Sequence, residues 1–210
     1  MILHSYWRSG AAYRTRIALN LKGLQYRQED HDLRTGRQKA PDYVALNPQG
    51  MVPALEVDGL VLTQSPAILE WLEEAHPEPP LLPEALADRA HVRAMAALIA
   101  CDIHPLNNLR VGKALRETFG ADQAAVDTWA TRWITPGFEA LETLVSQHGA
   151  GWSFGETPTL ADCFLIPQIY SARRFNVALD GFPRLLAIDG KAAEHPAFAA
   201  AHPDRQPDAD

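Results

Sequence analysis

Hydrophobic and polar residues follow different patterns in the two parts of the chain. Up to about residue 75, short apolar runs predict four strands, over 2–6, 26–32, 54–57 and 60–63. Helical patterns lie between and after them, over 14–22, 39–46 and 65–75. Gly23 is placed as a helix C-cap, Ser65 as an N-cap, and Asp58-Gly59 is a strong hairpin signal. The order β-α-β-α-β-β-α indicates a small mixed sheet covered by helices.

Beyond residue 75 the pattern becomes almost entirely helical. Four prolines, at 77, 79, 80 and 83, predict an ordered linker because such a density cannot continue a helix or a central strand. Helical patterns then run over 85–116, 123–147, 159–175 and 183–193, as in a helical bundle, before a polar tail (203–210) that is expected to fray. We therefore predict an α/β domain over 1–78, a linker over 79–86 and an all-helical domain over 87–210.

Composition and charge exclude several classes of protein. The 210 residues are 47% hydrophobic and 21% charged, as in a globular chain that builds its core without disulfides or metal. A formal net charge of −7 argues against nucleic-acid binding, which needs a basic face. There is no apolar run near the ~20 residues of a membrane span and no signal-peptide layout. Cys101 and Cys163 form no Cys-x-x-Cys pair, so we expect no zinc site and a cytoplasmic location.

The stretch from Arg8 to Arg14 lies where the first strand gives way to a helix. A helix N-terminus presents unpaired N–H groups and the positive end of the helix dipole, which suit a thiolate or a carboxylate. A serine at this point, such as Ser9, can donate a hydrogen bond to a bound thiolate and lower its pKa. Ser9 fits an ordinary N-cap equally well. The sequence leaves both roles open.

A second candidate stretch covers residues 47–55 and 63–66. A cis bond before Pro53 would turn the Val52 main chain outward, where a peptide can pair with it as an added strand. A trans bond in a plain turn has the higher base rate. Because Ser65 opens a helix, its hydroxyl and the neighbouring N–H groups are candidates to hold a carboxylate.

A third stretch, residues 101–110, is predicted within the first helix of the bundle. There His104 and Asn108 are four positions apart, on one helical face, and Arg110 follows. A later helix ends with Arg173-Arg174. Arginines that converge on a cleft suit a dianionic substrate, because guanidinium matches carboxylate in a two-pronged geometry. Ordinary surface charges are the alternative.

One further motif is predicted to be structural. Thr159-Leu160-Ala161-Asp162 has the form of a capping box that opens an apolar helix. Because capping explains the position of Asp162, we predict a role in stability for it and none in catalysis. Cys163, within the same helix, is predicted to be a buried core thiol.

Taken together, these features resemble the glutathione transferases over residues 1–195. Stretches 8–9 and 14–19 resemble the zeta-class signature Ser-Ser-Cys-Ser-x-Arg-Val-Arg-Ile-Ala-Leu, and stretches 46–48, 52–55 and 174–175 also resemble that class. Stretches 7–10, 101–110 and 153–163 are similar to the bacterial maleylpyruvate isomerases of gentisate degradation. The resemblance implies a glutathione transferase fold, α/β plus all-α, with a thioredoxin-like N-terminal domain and a helical-bundle C-terminal domain.

The resemblance also implies an activity. It is cis–trans isomerisation of a small dicarboxylate keto acid, maleylpyruvate to fumarylpyruvate, by reversible addition of the glutathione thiolate. Maleylacetoacetate isomerisation, a general detoxifying transferase and a non-enzymatic binding protein are the alternatives. A homodimer is implied as well. The implied catalytic residues are Ser9, Arg8, Arg110 and Arg174, and the implied glutathione-binding residues are Ser9, Gln49, Val52, Pro53, Gln64, Ser65, His104 and Asn108.

The chain departs from the zeta-class signature at the helix start. Where the signature has Ser-Ser-Cys-Ser, this chain has Ser9-Gly10-Ala11-Ala12, so the cysteine and two of the hydroxyls are absent. Stabilisation of a thiolate then depends on Ser9 and the N–H groups of the first helical turn. This predicts weak general transferase activity. It leaves isomerisation possible, because reversible addition needs only a modest thiolate population.

Overall fold

The computed structural model describes all 210 residues, which group into two compact units. The N-terminal unit contains Met1–Leu81 together with Ala193–Asp210, and the helical unit contains Leu82–Ala192. The predicted α/β and all-α fold classes are confirmed. The predicted extent of the helical domain differs at its end, because residues 193–210 return to the N-terminal unit.

A four-stranded mixed sheet with order β2-β1-β3-β4 forms the centre of the N-terminal unit. Its strands are β1 (Ile2–Ser5), β2 (Arg27–Asp30), β3 (Ala54–Val57) and β4 (Leu60–Thr63). β1 is parallel to β2 and antiparallel to β3, and β3 is antiparallel to β4. Asp58 and Gly59 have φ of +49° and +79°, the left-handed conformation that a two-residue type I′ hairpin requires. The predicted hairpin is confirmed.

The helices of this unit are α1 (Gly10–Leu21), α2 (Pro41–Leu46), α3 (Ser65–Ala75) and, from the end of the chain, α9 (Pro196–Ala201). α1 packs against α3 and α9, and α3 packs against β3 and β4. α1 begins four residues before the predicted helix, because Ser9 caps it. Gly23 follows with φ of +65°, as predicted for the residue that ends this helix.

A buried ion pair fixes the proline-rich segment to the N-terminal unit. Lys22 Nζ lies 2.6 Å from Glu73 Oε2, and their side chains are only 0% and 7% exposed. Lys22 also donates to the carbonyls of Pro77 and Pro79, at 3.3 and 2.8 Å. The same carboxylate oxygen of Glu73 accepts the N–H of Leu81 at 2.9 Å. The side chains thus supply the partners that regular secondary structure would otherwise supply to this segment.

The helical unit consists of α4 (Leu86–Ala97), α5 (Leu109–Phe119), α6 (Gln123–His148), α7 (Leu160–Arg174) and most of α8 (Pro183–Glu194). The predicted single helix over 85–116 is wrong. A π-helical turn at Leu98–Ile103 and a 3-10 turn at His104–Leu106 interrupt it. Pro105 has no N–H to continue the helix, and α5 restarts only after Asn108. None of these helices combines the length and apolar character needed to cross a membrane.

The capping box at the start of α7 is confirmed. Asp162 accepts hydrogen bonds from the N–H and the hydroxyl of Thr159, at 2.8 and 3.0 Å, and from the N–H of Ser153 at 2.8 Å. Burial raises the pKa of the Asp162 carboxyl, and these hydrogen bonds oppose the rise. Cys163, the next residue, is fully buried, as predicted for a core thiol.

The end of the chain does not fray, in contrast to the prediction. Asn20 of α1 donates to the carbonyl of Ala197 at 2.9 Å, and Arg16 donates to the carbonyl of Ala201 at 3.0 Å. The last residues continue along the same unit, where Asp208 accepts the N–H of Trp7 at 2.8 Å. Polar groups of α1 and of the turn before it therefore find their partners in a segment that is distant in sequence.

Three titratable side chains form a hydrogen-bonded chain across the sheet. His4 of β1 lies between Glu56 of β3, at 2.7 Å from Nε2 to Oε1, and His31, at 2.9 Å from Nδ1 to Nε2. The His31 ring also contacts Tyr43, with 4.1 Å between centroids. Both histidines are buried. Burial, and next the nearby His4, lower the pKa of His31.

This lowered pKa predicts a dependence of stability on pH. The unfolded chain takes up a proton at this position at a higher pH than the folded chain does, so acidification favours unfolding. We expect the free energy of unfolding to fall as the pH drops below about 6.5, with His31 contributing at most ~1.4 kcal/mol per pH unit. Urea unfolding between pH 8 and pH 5 tests this, comparing the wild type with His31→Gln. Equal slopes for the two proteins would contradict the assignment.

Candidate active site

The turn between β1 and α1 carries Arg8 and Ser9. The N–H of Ser9 donates to the carbonyl of Tyr6 at 2.9 Å, which closes the turn. The Ser9 Oγ accepts the N–H of Ala12 at 3.2 Å, so Ser9 is the N-cap of α1. Because the oxygen is the acceptor in this bond, the hydroxyl proton is left to be donated elsewhere. The two roles that the sequence left open for Ser9 are therefore compatible.

The surroundings of Ser9 favour an anion. The N–H groups of Gly10 and Ala11 lie in the first turn of α1 and have no carbonyl within the helix to bond. The helix dipole adds partial positive charge at the same point. The Arg8 guanidinium lies close by in the chain, 5.2 Å from the centroid of the Trp7 ring. A thiolate or carboxylate here would meet donors from both the side chain and the main chain.

The segment before β3 contains main-chain groups without partners in the chain. The Val52-Pro53 peptide bond is cis. The carbonyl of Met51 accepts hydrogen bonds from the Tyr43 hydroxyl and the Asn47 amide, both at 2.7 Å. The N–H and C=O of Val52, in contrast, make no hydrogen bond within the chain. They are available to pair with an added extended peptide.

The N-terminus of α3 is a candidate site for a carboxylate. Gln64 is the N-cap, with φ of +66°, and Ser65 is the first helical residue, so the prediction of Ser65 as the cap is wrong by one position. The Gln64 amide donates to Gln49 Oε1 at 2.5 Å. The buried Arg14 guanidinium donates to Ser65 Oγ at 3.4 Å. A hydroxyl and free N–H groups at a helix start, with a guanidinium behind them, suit a carboxylate.

These features of the N-terminal unit are joined by direct contacts. Val52 packs with Tyr6 and Trp7 in one cluster of buried side chains, next to the turn that carries Ser9. Arg14, one turn further along α1, reaches Ser65. The candidate positions for a thiol, for main-chain pairing and for a carboxylate thus belong to one connected region. This combination suits a small peptide that carries a thiol and a carboxylate.

The predicted residues of the helical unit lie on separate elements. His104 is in the 3-10 turn, and Asn108 is the N-cap of α5, where its side chain accepts the N–H of Val111 at 3.2 Å. The prediction that His104 and Asn108 share one helical face is therefore wrong, since Asn108 has an extended backbone (φ −78°, ψ 166°). Arg110 is exposed in the first turn of α5.

Arg174, the other predicted arginine of this unit, is exposed at the last position of α7. Its guanidinium lies 6.0 Å from the centroid of the Phe175 ring. The preceding residue, Arg173, is held by Asp189 at 2.6 Å. Arg173 carries the same charge on the same turn as Arg174, which makes it a suitable control for Arg174.

The sequence analysis missed the residues that support the site from behind. Arg14 and Arg16 are only 2% and 0% exposed. Asn47 and Tyr43 hold the main chain just before Val52. No local pattern distinguishes a buried arginine from a surface arginine, because side-chain burial depends on what packs against the helix. Asn47 lies within a stretch that was singled out, but nothing nearby in sequence reveals its partner.

Comparisons with known proteins agree with this geometry. The family model for the glutathione S-transferase N-terminal domain matches residues 8–75, and the one for the C-terminal domain matches residues 123–200. A maleylpyruvate isomerase from Ralstonia is 50% identical over 99% of each chain. A maleylacetoacetate isomerase from Pseudomonas aeruginosa is also 50% identical, over 99% of this chain and 98% of that one.

Comparison with solved structures points to the same group of proteins as the sequence comparison. The holo structure of a maleylpyruvate isomerase, described as a bacterial zeta-class enzyme, superposes with a TM-score of 0.98 over 100% of both chains at 50% identity. A maleylacetoacetate isomerase from Anaeromyxobacter dehalogenans, solved with glutathione in its active site, is 46% identical, with a TM-score of 0.90 over 100% of this chain and 97% of that one. The chain thus belongs to the glutathione S-transferase family and, within it, to the zeta-class isomerases.

Proposed function

We propose that this protein is a glutathione-dependent cis–trans isomerase that converts maleylpyruvate to fumarylpyruvate. The observation that carries the proposal is the arrangement at Ser9, whose oxygen caps α1 while its proton is left for an anion beside unpaired N–H groups. The likeness over the full chain to a maleylpyruvate isomerase supports the substrate. The relative that was solved with glutathione bound supports the cofactor.

The residues of the N-terminal unit fit glutathione. The unpaired main chain of Val52, followed by Pro53, would hold the cysteinyl residue as an added strand. Gln64 and Ser65, with Gln49 beside them, would hold the γ-glutamyl carboxylate at the start of α3. For the glycine end of the peptide we propose His104 and Asn108.

The chemistry divides between the cofactor and the chain. Bound glutathione supplies a thiolate that adds reversibly to the cis double bond, so that the bond can rotate before the thiolate leaves. The Ser9 hydroxyl favours the ionised thiol by donating a hydrogen bond to it. Arg8, Arg110 and Arg174 would bind the two substrate carboxylates and stabilise the negative charge that develops on the keto oxygen.

We further propose a cytoplasmic location and a homodimer. Both cysteines are free thiols, as is usual in a reducing compartment. A two-fold dimer is the commonest assembly of soluble proteins. Light scattering of the purified protein tests the dimer, and a monomeric mass at assay concentrations would reject it.

A paired assay tests the proposed function. Isomerisation of maleylpyruvate and of maleylacetoacetate is measured with and without glutathione, for the wild type and for Ser9→Ala. We expect glutathione dependence, faster turnover of maleylpyruvate, and a loss of about a hundredfold in Ser9→Ala, the usual effect of removing one hydrogen-bond donor to a developing anion. Ser146→Ala, a hydroxyl deletion on the exposed side of α6, serves as the control.

Each alternative gives a different outcome in this assay. Equal rates with and without glutathione would reject the mechanism. Faster turnover of maleylacetoacetate would reassign the substrate within the same chemistry. Efficient conjugation of chlorodinitrobenzene without isomerisation would favour a general transferase, and no affinity for glutathione in calorimetry would indicate a non-enzymatic binding protein.

A further inference from the structure

The last residues of the chain contact the turn that carries Arg8 and Ser9. We call residues 201–210 the terminal segment. Asp208 Oδ2 accepts the N–H of Trp7 at 2.8 Å, and Ala209 packs against the buried cluster that contains Trp7 and Val52. Asp210 forms an ion pair with Arg34. The terminal segment is therefore attached at three consecutive residues.

Both main-chain polar groups of Trp7 are hydrogen-bonded. Its N–H donates to Asp208, and its carbonyl accepts a hydrogen bond from Arg16 Nη2 at 2.9 Å. The next residue is Arg8, and the one after it is Ser9, whose N–H closes the turn on Tyr6. The two hydrogen bonds of Trp7 thus fix the main chain immediately before the residues proposed to act on the thiol and the substrate.

Arg16 links this turn to the terminal segment by bonding both the Trp7 and the Ala201 carbonyls. It is fully buried, and besides the bond to Trp7 it makes two hydrogen bonds: Nε donates to the carbonyl of Ala201 at 3.0 Å, and Nη1 donates to Ser5 Oγ at 3.1 Å. All of these acceptors are neutral. Burial lowers the pKa of Arg16 to about 10, and Tyr26, Tyr13, Asp208 and Asp30, in decreasing order, oppose this.

The Asp208 carboxylate is therefore both an acceptor for the turn and a nearby negative charge for the buried Arg16. Its second oxygen accepts the amide of Gln28 at 3.3 Å, which limits its rotation. Hydrogen bonds to an ionised acceptor are stronger than those between neutral groups. A short turn whose N–H is held by such a bond keeps a defined position, and reactive groups on it keep a defined geometry.

We infer that Asp208, together with Arg16, is a positioning residue of the isomerase, and that the terminal segment acts as a clamp that holds Arg8 and Ser9 in their working geometry. The inference rests on the proposed function for the consequence in catalysis. The structural part, a clamp on the Trp7 main chain, rests on the contacts alone. A displacement of about 1 Å in a reactive group can cost about a hundredfold in rate, so a clamp of this kind matters for turnover.

The test compares Asp208→Ala, which removes the acceptor, with Asp208→Asn, which keeps an acceptor oxygen but removes the charge. Asp204→Ala is the matched control, because Asp204 lies in the same segment, is exposed, and its carboxylate lies 3.7 Å from His202 Nδ1. Amide hydrogen exchange is followed at Trp7, Arg8 and Ser9 in the full chain. Steady-state kinetics are measured across pH at saturating glutathione.

In Asp208→Ala we expect the Trp7 amide to exchange at least about tenfold faster, as follows from the loss of a charge-assisted hydrogen bond. We expect kcat to fall by about tenfold to a hundredfold. The acid limb of the pH–rate profile is expected to move to higher pH, because a displaced Ser9 no longer favours the thiolate. Simple loss of folded protein would lower kcat without moving that limb. For the exchange rate, kcat and the pH profile, Asp208→Asn is expected to give values between those of Asp208→Ala and the wild type. Asp204→Ala is expected to match the wild type in all three.

If the Trp7 amide exchanges at the wild-type rate in both Asp208 variants, the clamp is overturned. Faster exchange with an unchanged pH profile and kcat would overturn the role in catalysis and leave the proposed function intact. If the wild type itself neither binds glutathione nor isomerises, the proposed function fails, and the exchange data still decide the clamp. Should Asp208→Ala not fold, Asp208→Asn supplies the same readouts.

Discussion

Arg174→Ala is expected to lower kcat/KM for isomerisation by about a hundredfold to a thousandfold, the range found when a preorganised group that stabilises developing charge is removed. The dissociation constant for glutathione should stay close to the wild-type value, because we assign Arg174 to the keto acid and other residues to the peptide. Stopped-flow isomerisation and glutathione calorimetry measure the two quantities separately. Arg8→Ala is expected to behave in the same way.

The adjacent arginine supplies the control for this prediction. Arg173 carries the same charge on the same turn of α7, but its guanidinium is held by Asp189. An exposed ion pair of this kind contributes little to stability, so Arg173→Ala should fold and isomerise normally. Equal losses in both variants would mean that only the general positive charge at the end of α7 matters. Weak glutathione binding by Arg174→Ala, with normal turnover at saturation, would reverse the assigned role.

Lys22→Met is expected to lower the free energy of unfolding by about 3–5 kcal/mol, as is typical when one partner of a buried ion pair is removed. The Glu73 carboxylate would stay buried without its cation, and the carbonyls of Pro77 and Pro79 would lose a donor. Urea unfolding, followed by circular dichroism, measures the change. The same loss should increase proteolysis within residues 77–81, because Lys22 and Glu73 hold the main chain of Pro77, Pro79 and Leu81.

A second variant distinguishes the uncompensated charge from lost packing. In Lys22→Met combined with Glu73→Leu, both charges are gone, and much of the stability should return. Lys113→Ala is the exposed comparison, since Lys113 and Glu117 form a pair at 3.6 Å on the surface of α5. If Lys22→Met and Lys113→Ala cost the same, the buried pair has no special importance.

The elements that the sequence predicted well are those with a local cause. The hairpin at Asp58-Gly59 depends on two adjacent residues that tolerate positive φ. The capping box at Thr159 and Asp162 depends on residues three positions apart. Ser65 at the start of α3 also belongs to this group, within one residue, whereas the helical pattern placed the start of α1 four residues too late. Hydrogen bonds between near neighbours form the same way in most contexts, so the pattern suffices to predict them.

Errors occurred where a local pattern was extended too far. Apolar spacing continues through Pro105, and this favoured one long helix over 85–116, but proline cannot donate the bond that a helix interior needs. The consequence for the candidate site was direct, because the shared helical face of His104 and Asn108 disappears once the backbone between them leaves the α-helical conformation.

By itself, then, the sequence determined the order of strands and helices up to residue 75, the hairpin turn and the capping box of α7. Only the tertiary structure decided that Arg14 and Arg16 are buried, that Lys22 holds the proline-rich segment, and that the terminal segment lies against the β1–α1 turn. The physical reason is distance along the chain. Arg16 and Ala201 are 185 positions apart and Trp7 and Asp208 are 201 apart, so their contacts form only once the unit has closed around its core.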